Sequence, residues 1–215
     1  MMKSYAEKDV QYTKKLFVFS SKMIFSLLFI IIAPIFVEIK FILNIWLGQV
    51  GLYMPEFVRV MLIYVIVLCV SEPITTIVQA AGKVKLYHGI VDSFTLFTLP
   101  LSYILFKNGM APFYGFAISI LIFIIAHFMR LHILKSFFNF SIYSYLLGFI
   151  IPAVVITVLT FFIVISLQPI INNSIVTMGI SMAIATITIF FFLLDTPERQ
   201  YIINMLKTKL QRQHE

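Results

Sequence analysis

Charged residues are scarce in this chain. Only 12% of its 215 residues are Asp, Glu, Lys or Arg, against roughly a quarter in soluble domains, and the mean hydropathy is +1.02. This composition excludes a water-soluble globular fold. Cysteine is also scarce. The single cysteine, Cys69, lies inside an apolar run and has no partner for an intrachain disulfide. Cysteine usage therefore says nothing about the redox compartment.

The sequence motifs of common enzyme classes are also missing. The chain contains no P-loop and no GxSxG, HExxH or CxxC motif, and its loops are too short to form a substrate pocket. His127 and His132 are five residues apart, on different faces of a helix, without a third ligand nearby. We therefore expect no enzymatic activity, no metal site and no cofactor.

Long apolar runs take the place of these features. A helix needs about 20 apolar residues to cross a bilayer, and six segments meet this requirement: residues 16–37, 57–80, 86–106, 111–134, 145–167 and 174–194. No repeated ten-residue alternation typical of barrel strands occurs. The sequence predicts an all-α membrane protein with about six transmembrane helices, in which Pro34, Pro73, Pro100 and Pro152 kink four spans.

Two amphipathic segments accompany the six spans. Residues 38–48 mix charges with apolar side chains, which predicts an interfacial helix on the outer face with Trp46 at headgroup depth. Residues 1–194 form the predicted six-helix transmembrane domain, and residues 195–215 form a cytoplasmic amphipathic tail. The tail helix is expected to begin with Thr196 as its cap and Pro197 in its first turn.

The basic residues are distributed unequally between the two sides of the membrane. The chain has 16 Lys and Arg against nine Asp and Glu, and 13 of the 16 fall on the side that holds both termini. The other side receives only Lys40, Arg59 and Lys107. By the positive-inside rule both termini are cytoplasmic, and the net charge of +7 is explained without a nucleic-acid partner.

Polar residues inside the spans are the candidate functional residues, since each is costly in lipid unless it meets protein or water. They form two helical stripes, joined by the tight turn 82–85 into an antiparallel hairpin. Glu72 and Asp92 lie about 18 Å and about 12 Å into the membrane. The stripes contain Glu72, Thr75, Thr76 and Gln79 on the second span and His88, Asp92, Thr95 and Ser102 on the third.

These stripes have two interpretations. Glu72, Asp92, Gln79 and Thr76 are candidates for lining a hydrated cavity and for coupling to a cation, a proton or a polar substrate. Alternatively, the hydroxyl and amide groups join helices, and the carboxylates are protonated or paired with His88 or Lys83.

Three basic residues are candidates for binding an anionic headgroup. Lys83 and Lys85 lie in the turn between the second and third spans, where topology alone also explains them. Arg59 runs against the charge bias, and it is also placed to pair with Glu56 one helical turn away.

Several segments resemble bacterial Wzx-type polysaccharide flippases, members of the MATE-like exporter superfamily. The most specific is residues 79–87 (QAAGKVKLY), followed by 99–103 (LPLSY). Residues 42–48 (ILNIWLG) and 55–60 (PEFVRV) agree with it, and residues 3–9 (KSYAEKD) resemble the cytoplasmic segment before the ninth span of such proteins. The resemblance covers the whole chain.

The resemblance implies a fold and an activity. Such flippases have twelve to fourteen spans in two lobes and move an undecaprenyl-pyrophosphate-linked oligosaccharide across the bacterial inner membrane by alternating access. This chain would correspond to part of the second lobe, without the first lobe and two helices of the second. Because one lobe alone has nothing to rock against, we expect either a truncated product or a second chain that supplies the missing helices.

The leading hypothesis is therefore a flippase fragment for lipopolysaccharide, O-antigen or capsule synthesis, with lipid-linked oligosaccharide and membrane lipids as partners. One alternative is a fragment of a cation-coupled drug exporter, because the superfamily includes such transporters and Glu72 is suited to carry a proton. Another is a membrane scaffold of a glycan assembly complex that transports nothing.

Overall fold

The computed structural model describes residues 9–138, 140–169, 171 and 173–211. This part of the chain is all helical and contains no strand. Lys3, Lys8 and Arg212, three of the predicted cytoplasmic basic residues, lie outside the described residues, as do most of segment 3–9 and the end of the predicted tail. The helices are α1 Val10–Val37, α2 Ile39–Leu47, α3 Met54–Val70, α4 Glu72–Ala80, α5 Val84–Thr95, α6 Thr98–Lys107, α7 Phe113–Phe138, α8 Ile142–Tyr145, α9 Ile151–Leu167, α10 Ser174–Thr188 and α11 Thr196–Gln211, with π-helical turns at Leu146–Ile150 and Ile189–Leu193.

Six stretches of these helices are long and apolar enough to cross a membrane, which confirms the predicted number. Their ends differ from the predicted ends by at most five residues. A chain with six such helices is a multi-pass membrane protein by length and composition. Spans one to six are Gln11–Val37, Met54–Ala80, Tyr87–Lys107, Phe113–Phe138, Ile142–Leu167 and Ser174–Leu193.

Three of the four predicted proline positions coincide with a change in helix geometry. Span two is interrupted at Ser71, two residues before Pro73. Span three is interrupted between Thr95 and Thr98, just before Pro100, and a π-helical turn immediately precedes α9, which contains Pro152. Proline lacks the backbone N–H and its ring clashes with the preceding turn, so the helix changes pitch there. Pro34 lies within α1 near its end.

Span one is the centre of the bundle. It packs between spans two and six and also contacts span five. Span four packs against spans two and three. Span three packs against span two mainly through the helix that follows the turn, α5. The predicted hairpin of spans two and three is therefore tight at the turn, where Gly82 adopts a φ of 68°, and opens away from it.

Aromatic side chains fill the seam between spans one and five. The ring of Phe17 stacks on Tyr145 with centroids 5.0 Å apart, and Phe29 meets Phe161 edge-on at 6.0 Å. The Tyr145 hydroxyl donates to Ser21 Oγ at 3.3 Å. Tyr145 is fully buried, so this seam joins the first and fifth spans with both apolar contact and a satisfied polar group.

Helices are present in both segments that were predicted to be amphipathic. Helix α2 buries Ile39 and Leu43 and leaves Trp46 77% exposed. The tail helix α11 begins one residue earlier than predicted: Thr196 is already helical, so Asp195 rather than Thr196 precedes the first turn. The side chain of Glu198 accepts the Asp195 backbone N–H at 2.8 Å, which is the returning bond of a capping box.

Candidate functional site

Glu72 is presented by the break in span two. The Ser71 N–H bonds to the Leu68 carbonyl at 3.1 Å, a tightened turn, because Pro73 has no N–H with which to continue the α-helical ladder. Helix α4 then begins at Glu72, whose side chain is exposed on the outside of the bundle. Glu72 forms no ion pair with any described residue.

Thr76 and Gln79 continue the exposed surface that starts at Glu72, and we call these three residues the polar face. Thr76 is half-buried and its hydroxyl donates to the Glu72 carbonyl at 3.1 Å, while Gln79 is exposed. Thr75, placed in the same stripe by its spacing, turns away and shares a hydrogen bond with the Tyr87 hydroxyl at 3.0 Å. Three of the four stripe residues thus remain available on one surface.

The Asp92 carboxylate pairs with a neighbouring side chain of the stripe on span three. Its Oδ2 lies 2.9 Å from His88 Nδ1, and its side chain is 62% exposed. This is the pairing that the sequence offered as an alternative to a cavity role. Tyr87, at the start of span three, shares a hydrogen bond with Thr75 of span two, so the two spans meet close to the turn.

Lys83 and Lys85 are exposed in the turn between spans two and three. Lys83 Nζ lies 4.7 Å from the centroid of the Phe137 ring, in cation–π geometry. With Gly82, Gly89 and Ile90 the two lysines line an open depression of about 540 Å³. Neither lysine forms an ion pair with a carboxylate among the described residues.

Arg59 has a different environment from the two turn lysines. Its Nε donates to the Phe36 carbonyl at 3.2 Å, its guanidinium lies 5.7 Å from the Phe36 ring, and Nη1 is 4.0 Å from Glu56 Oε1. Arg59 therefore bonds to one of the last carbonyl groups of α1. It also lies next to Glu56, the pairing that its spacing suggested.

Lys22 is a buried cation that sequence reasoning missed. The charge distribution assigned it to the cytoplasmic group of basic residues, but its side chain is 2% exposed and lies 2.8 Å from Asp195 Oδ2 and 3.0 Å from Glu198 Oε2. This contact ties span one to the start of the tail helix. A lysine within an apolar run was a signal, because an ionisable residue in a span needs a partner.

His127 and Arg130 form a second buried polar group, on span four. His127 Nδ1 lies 2.8 Å from Ser71 Oγ at the break of span two, and both residues are at most 8% exposed. His127 Nε2 and Arg130 Nε have no hydrogen-bond partner among the described residues. Sequence reasoning weighed His127 only as a metal ligand and Arg130 only as a topology signal. Both lie within the predicted fourth span, where an ionisable residue needs a partner.

The described residues contain no group of three or more His, Cys, Asp or Glu side chains placed to hold a metal ion. What the arrangement offers is instead two outward-facing carboxylates, neutral hydrogen-bonding groups beside them and cations at one end of span two.

Comparison of the chain with protein-family models, with curated proteins and with solved structures gives no match.

Proposed function

We propose that this chain is part of an exporter that flips undecaprenyl-pyrophosphate-linked oligosaccharides across the bacterial inner membrane, as its resemblance to Wzx-type flippases implies. The observation that carries the proposal is the outward exposure of Glu72 and Asp92, two carboxylates within membrane spans. Polar cargo needs a hydrated path, and a transporter places ionisable groups along it.

Exposure of these carboxylates to lipid would be costly. An acidic residue at the centre of a membrane helix costs about 3 kcal/mol relative to water. Glu72 has no ion-pair partner among the described residues, so its carboxylate is more stable facing water or another part of a protein than facing lipid. In the proposed exporter the polar face borders the cavity, and further helices, from the same protein or a second chain, close the other side in a MATE-like fold.

The proposed path separates the two parts of the cargo. The sugars pass along the polar face, where the Gln79 amide and the Thr76 hydroxyl offer hydrogen bonds, while the lipid tail stays in the bilayer. Lys83 and Lys85 border the mouth of this path and attract the pyrophosphate. Glu72 and Asp92 serve as candidate sites for a coupling cation or proton. The 13 to 3 charge distribution supports cytoplasmic termini and hence capture of cargo from the cytoplasmic leaflet.

Thiol labelling tests whether the polar face contacts water. In a Cys69→Ser background, Glu72→Cys is compared with Val154→Cys, an exposed position that lies about 18 Å from the start of span five. A membrane-impermeant thiol reagent should modify the first and leave the second unmodified. Equal reactivity of the two positions, or no reaction at Glu72→Cys, would contradict a hydrated polar face.

Transport is tested in cells whose own copy carries Glu72→Gln together with Asp92→Asn. We expect at least a tenfold fall in surface polysaccharide and accumulation of lipid-linked oligosaccharide in the cytoplasmic leaflet, measured with a glycan-specific probe on vesicles of both orientations. The matched control is Glu38→Gln, because Glu38 lies at the junction of α1 and α2 near Gln168 and away from the polar face.

The same experiment separates the competing functions. Loss of small-cation export with normal polysaccharide would favour a cation-coupled drug exporter. Unchanged flipping, combined with co-purification of a polymerase or glycosyltransferase, would favour a scaffold of a glycan assembly complex.

A further inference from the structure

A second cavity lies where span one begins, span five begins and the tail helix follows span six. It is an open cleft of about 800 Å³, within the size range of small-molecule sites. With six spans, these three chain positions fall at the same end of the molecule. The cleft is therefore at a membrane surface, whichever way the protein is oriented.

The cleft contains both basic and acidic side chains, and they differ in whether they already form ion pairs. Lys14 and Lys15 line it, and neither forms an ion pair with a described carboxylate. Asp195 and Glu198 also line it, but both carboxylates are held by the buried Lys22 at 2.8 and 3.0 Å. Two negative charges thus face three positive ones, and Lys14 and Lys15 are the cations of the opening that no described carboxylate neutralises; Lys14 Nζ lies 6.0 Å from the centroid of the Phe138 ring.

The walls of the cleft are amphipathic. Tyr12 and Tyr201 are 54% and 60% exposed, and the Tyr201 ring meets Phe19 edge-on with centroids 5.9 Å apart. Aromatic rings with one apolar and one polar end are typical of the lipid headgroup region. On the facing wall, Ser141 Oγ accepts the Ser144 N–H at 3.3 Å, which leaves the Ser141 hydroxyl proton free to donate.

We propose that this cleft binds an anionic phosphate ester, with Lys14 and Lys15 contacting the phosphate and Tyr12 and Tyr201 flanking the group that carries it. Basic pockets between membrane helices bind phosphate headgroups in this manner. The ligand chemistry has two sources, the headgroup of an anionic membrane lipid and a soluble phosphate ester, and the amphipathic walls favour the lipid. The site is separate from the polar face and does not depend on the proposed transport activity.

Native mass spectrometry of the purified full chain in a neutral detergent tests the proposal. Phosphatidylglycerol is titrated, with phosphatidylcholine as the zwitterionic reference. Each lysine near a membrane surface contributes about 1 kcal/mol, so the K14A/K15A variant should bind phosphatidylglycerol about 30-fold more weakly. The charge-preserving K14R/K15R variant should retain binding, and an unchanged unfolding midpoint without lipid would show that the variants fold.

The matched control is K135A/K207A, which removes the same charge from two exposed positions outside the cleft. Binding by this control should stay within about threefold of the wild type. Equal losses in the two alanine variants, or equal binding of the two lipids by the wild-type chain, would overturn the proposal.

Competition with glycerol 3-phosphate distinguishes the two sources. Displacement of bound phosphatidylglycerol by the soluble ester at comparable concentration would support the site and identify its ligand as the phosphate ester alone. Retention of the lipid would support the site and identify the ligand as an anionic lipid. Binding of neither compound would overturn the proposal.

Discussion

Span one and span three are both apolar enough to cross a membrane, but they have opposite positions in the bundle. In the most apolar 18-residue window of span one 44% of the residues are buried, whereas in span three the share is 6%. Span one lies between spans two and six, and span three packs on one side against span four. Enough hydrophobicity to cross a membrane is therefore compatible with a central position and with a peripheral one.

The difference determines what a polar residue does. Span one buries Ser21, Lys22 and Ser26, and each of them forms a hydrogen bond inside the protein. Span three exposes Asp92, whose partner His88 lies on its own helix. A buried polar group that joins elements stabilises the fold, and an exposed one in a membrane span is available to water, cargo or another protein. This contrast leads to predictions about stability.

The largest expected effect is at Lys22. Lys22→Met leaves Glu198, whose side chain is 16% exposed, without its cation, and removing one partner of a buried pair typically costs about 3 kcal/mol. The free energy of unfolding is measured by denaturant titration in mixed micelles. The matched control is Lys85→Met, which changes an exposed lysine in the turn and should alter stability by less than about 0.5 kcal/mol.

The ion cluster can also be removed as a whole. Because the cost arises from the carboxylates left behind, the triple variant Lys22→Met, Asp195→Asn, Glu198→Gln should recover most of the loss. A triple variant as unstable as Lys22→Met alone would show that the lysine stabilises span one by packing and not by charge.

An intermediate effect is expected at the contact between spans two and four. Ser71→Ala removes the hydrogen-bond partner of the buried His127 Nδ1, and side-chain hydrogen bonds between membrane helices contribute about 1 kcal/mol. A double-mutant cycle with His127→Phe isolates the pairwise energy in the same unfolding assay.

Ser166→Ala is the control for the Ser71 substitution. Ser166 is exposed and bonds only within its own helix, to Phe162, so its loss should change stability by less than about 0.5 kcal/mol. Similar losses of stability in the Ser71 and Ser166 variants would contradict the prediction, because the hydrogen bond between spans two and four would then contribute no more than one within a single helix.

Sequence alone predicted the helices well because each one is encoded locally. Twenty apolar residues specify a span, and Pro73 and Pro100 specify breaks that the structure places next to them. The amphipathic segment around Trp46 was predicted for the same reason, since the spacing of apolar residues within one helix determines its apolar face.

The environments of the polar residues were not predictable in the same way. Helix rotation is set by packing against neighbours. The position of Lys22 in an apolar run indicated that it needs a partner, but not that it turns to Asp195 and Glu198 across the bundle. Thr75 and Thr76 show the limit most clearly. They are adjacent in one stripe, yet one bonds to Tyr87 and the other to its own helix. The roles proposed for Glu72, Asp92, Lys83, Lys85 and Arg59 remain predictions.

The smallest effect on stability is expected at Glu72. This carboxylate is exposed and forms no ion pair among the described residues, so Glu72→Gln should change the free energy of unfolding by less than about 0.5 kcal/mol. The matched control is Glu198→Gln, the same chemical change at a carboxylate that accepts from Lys22 and from the Asp195 N–H, and it should destabilise the protein clearly.

The pair of glutamate variants distinguishes two situations for the polar face. If Glu72→Gln leaves the free energy of unfolding unchanged and Glu198→Gln lowers it, the contribution of each carboxylate to stability follows its contacts. A transport defect of Glu72→Gln then cannot be attributed to unfolding. If Glu72→Gln costs more than about 1 kcal/mol in purified protein, its side chain must be packed against something in the micelle. A second copy of the chain would then be the first candidate, and concentration-dependent unfolding would identify it.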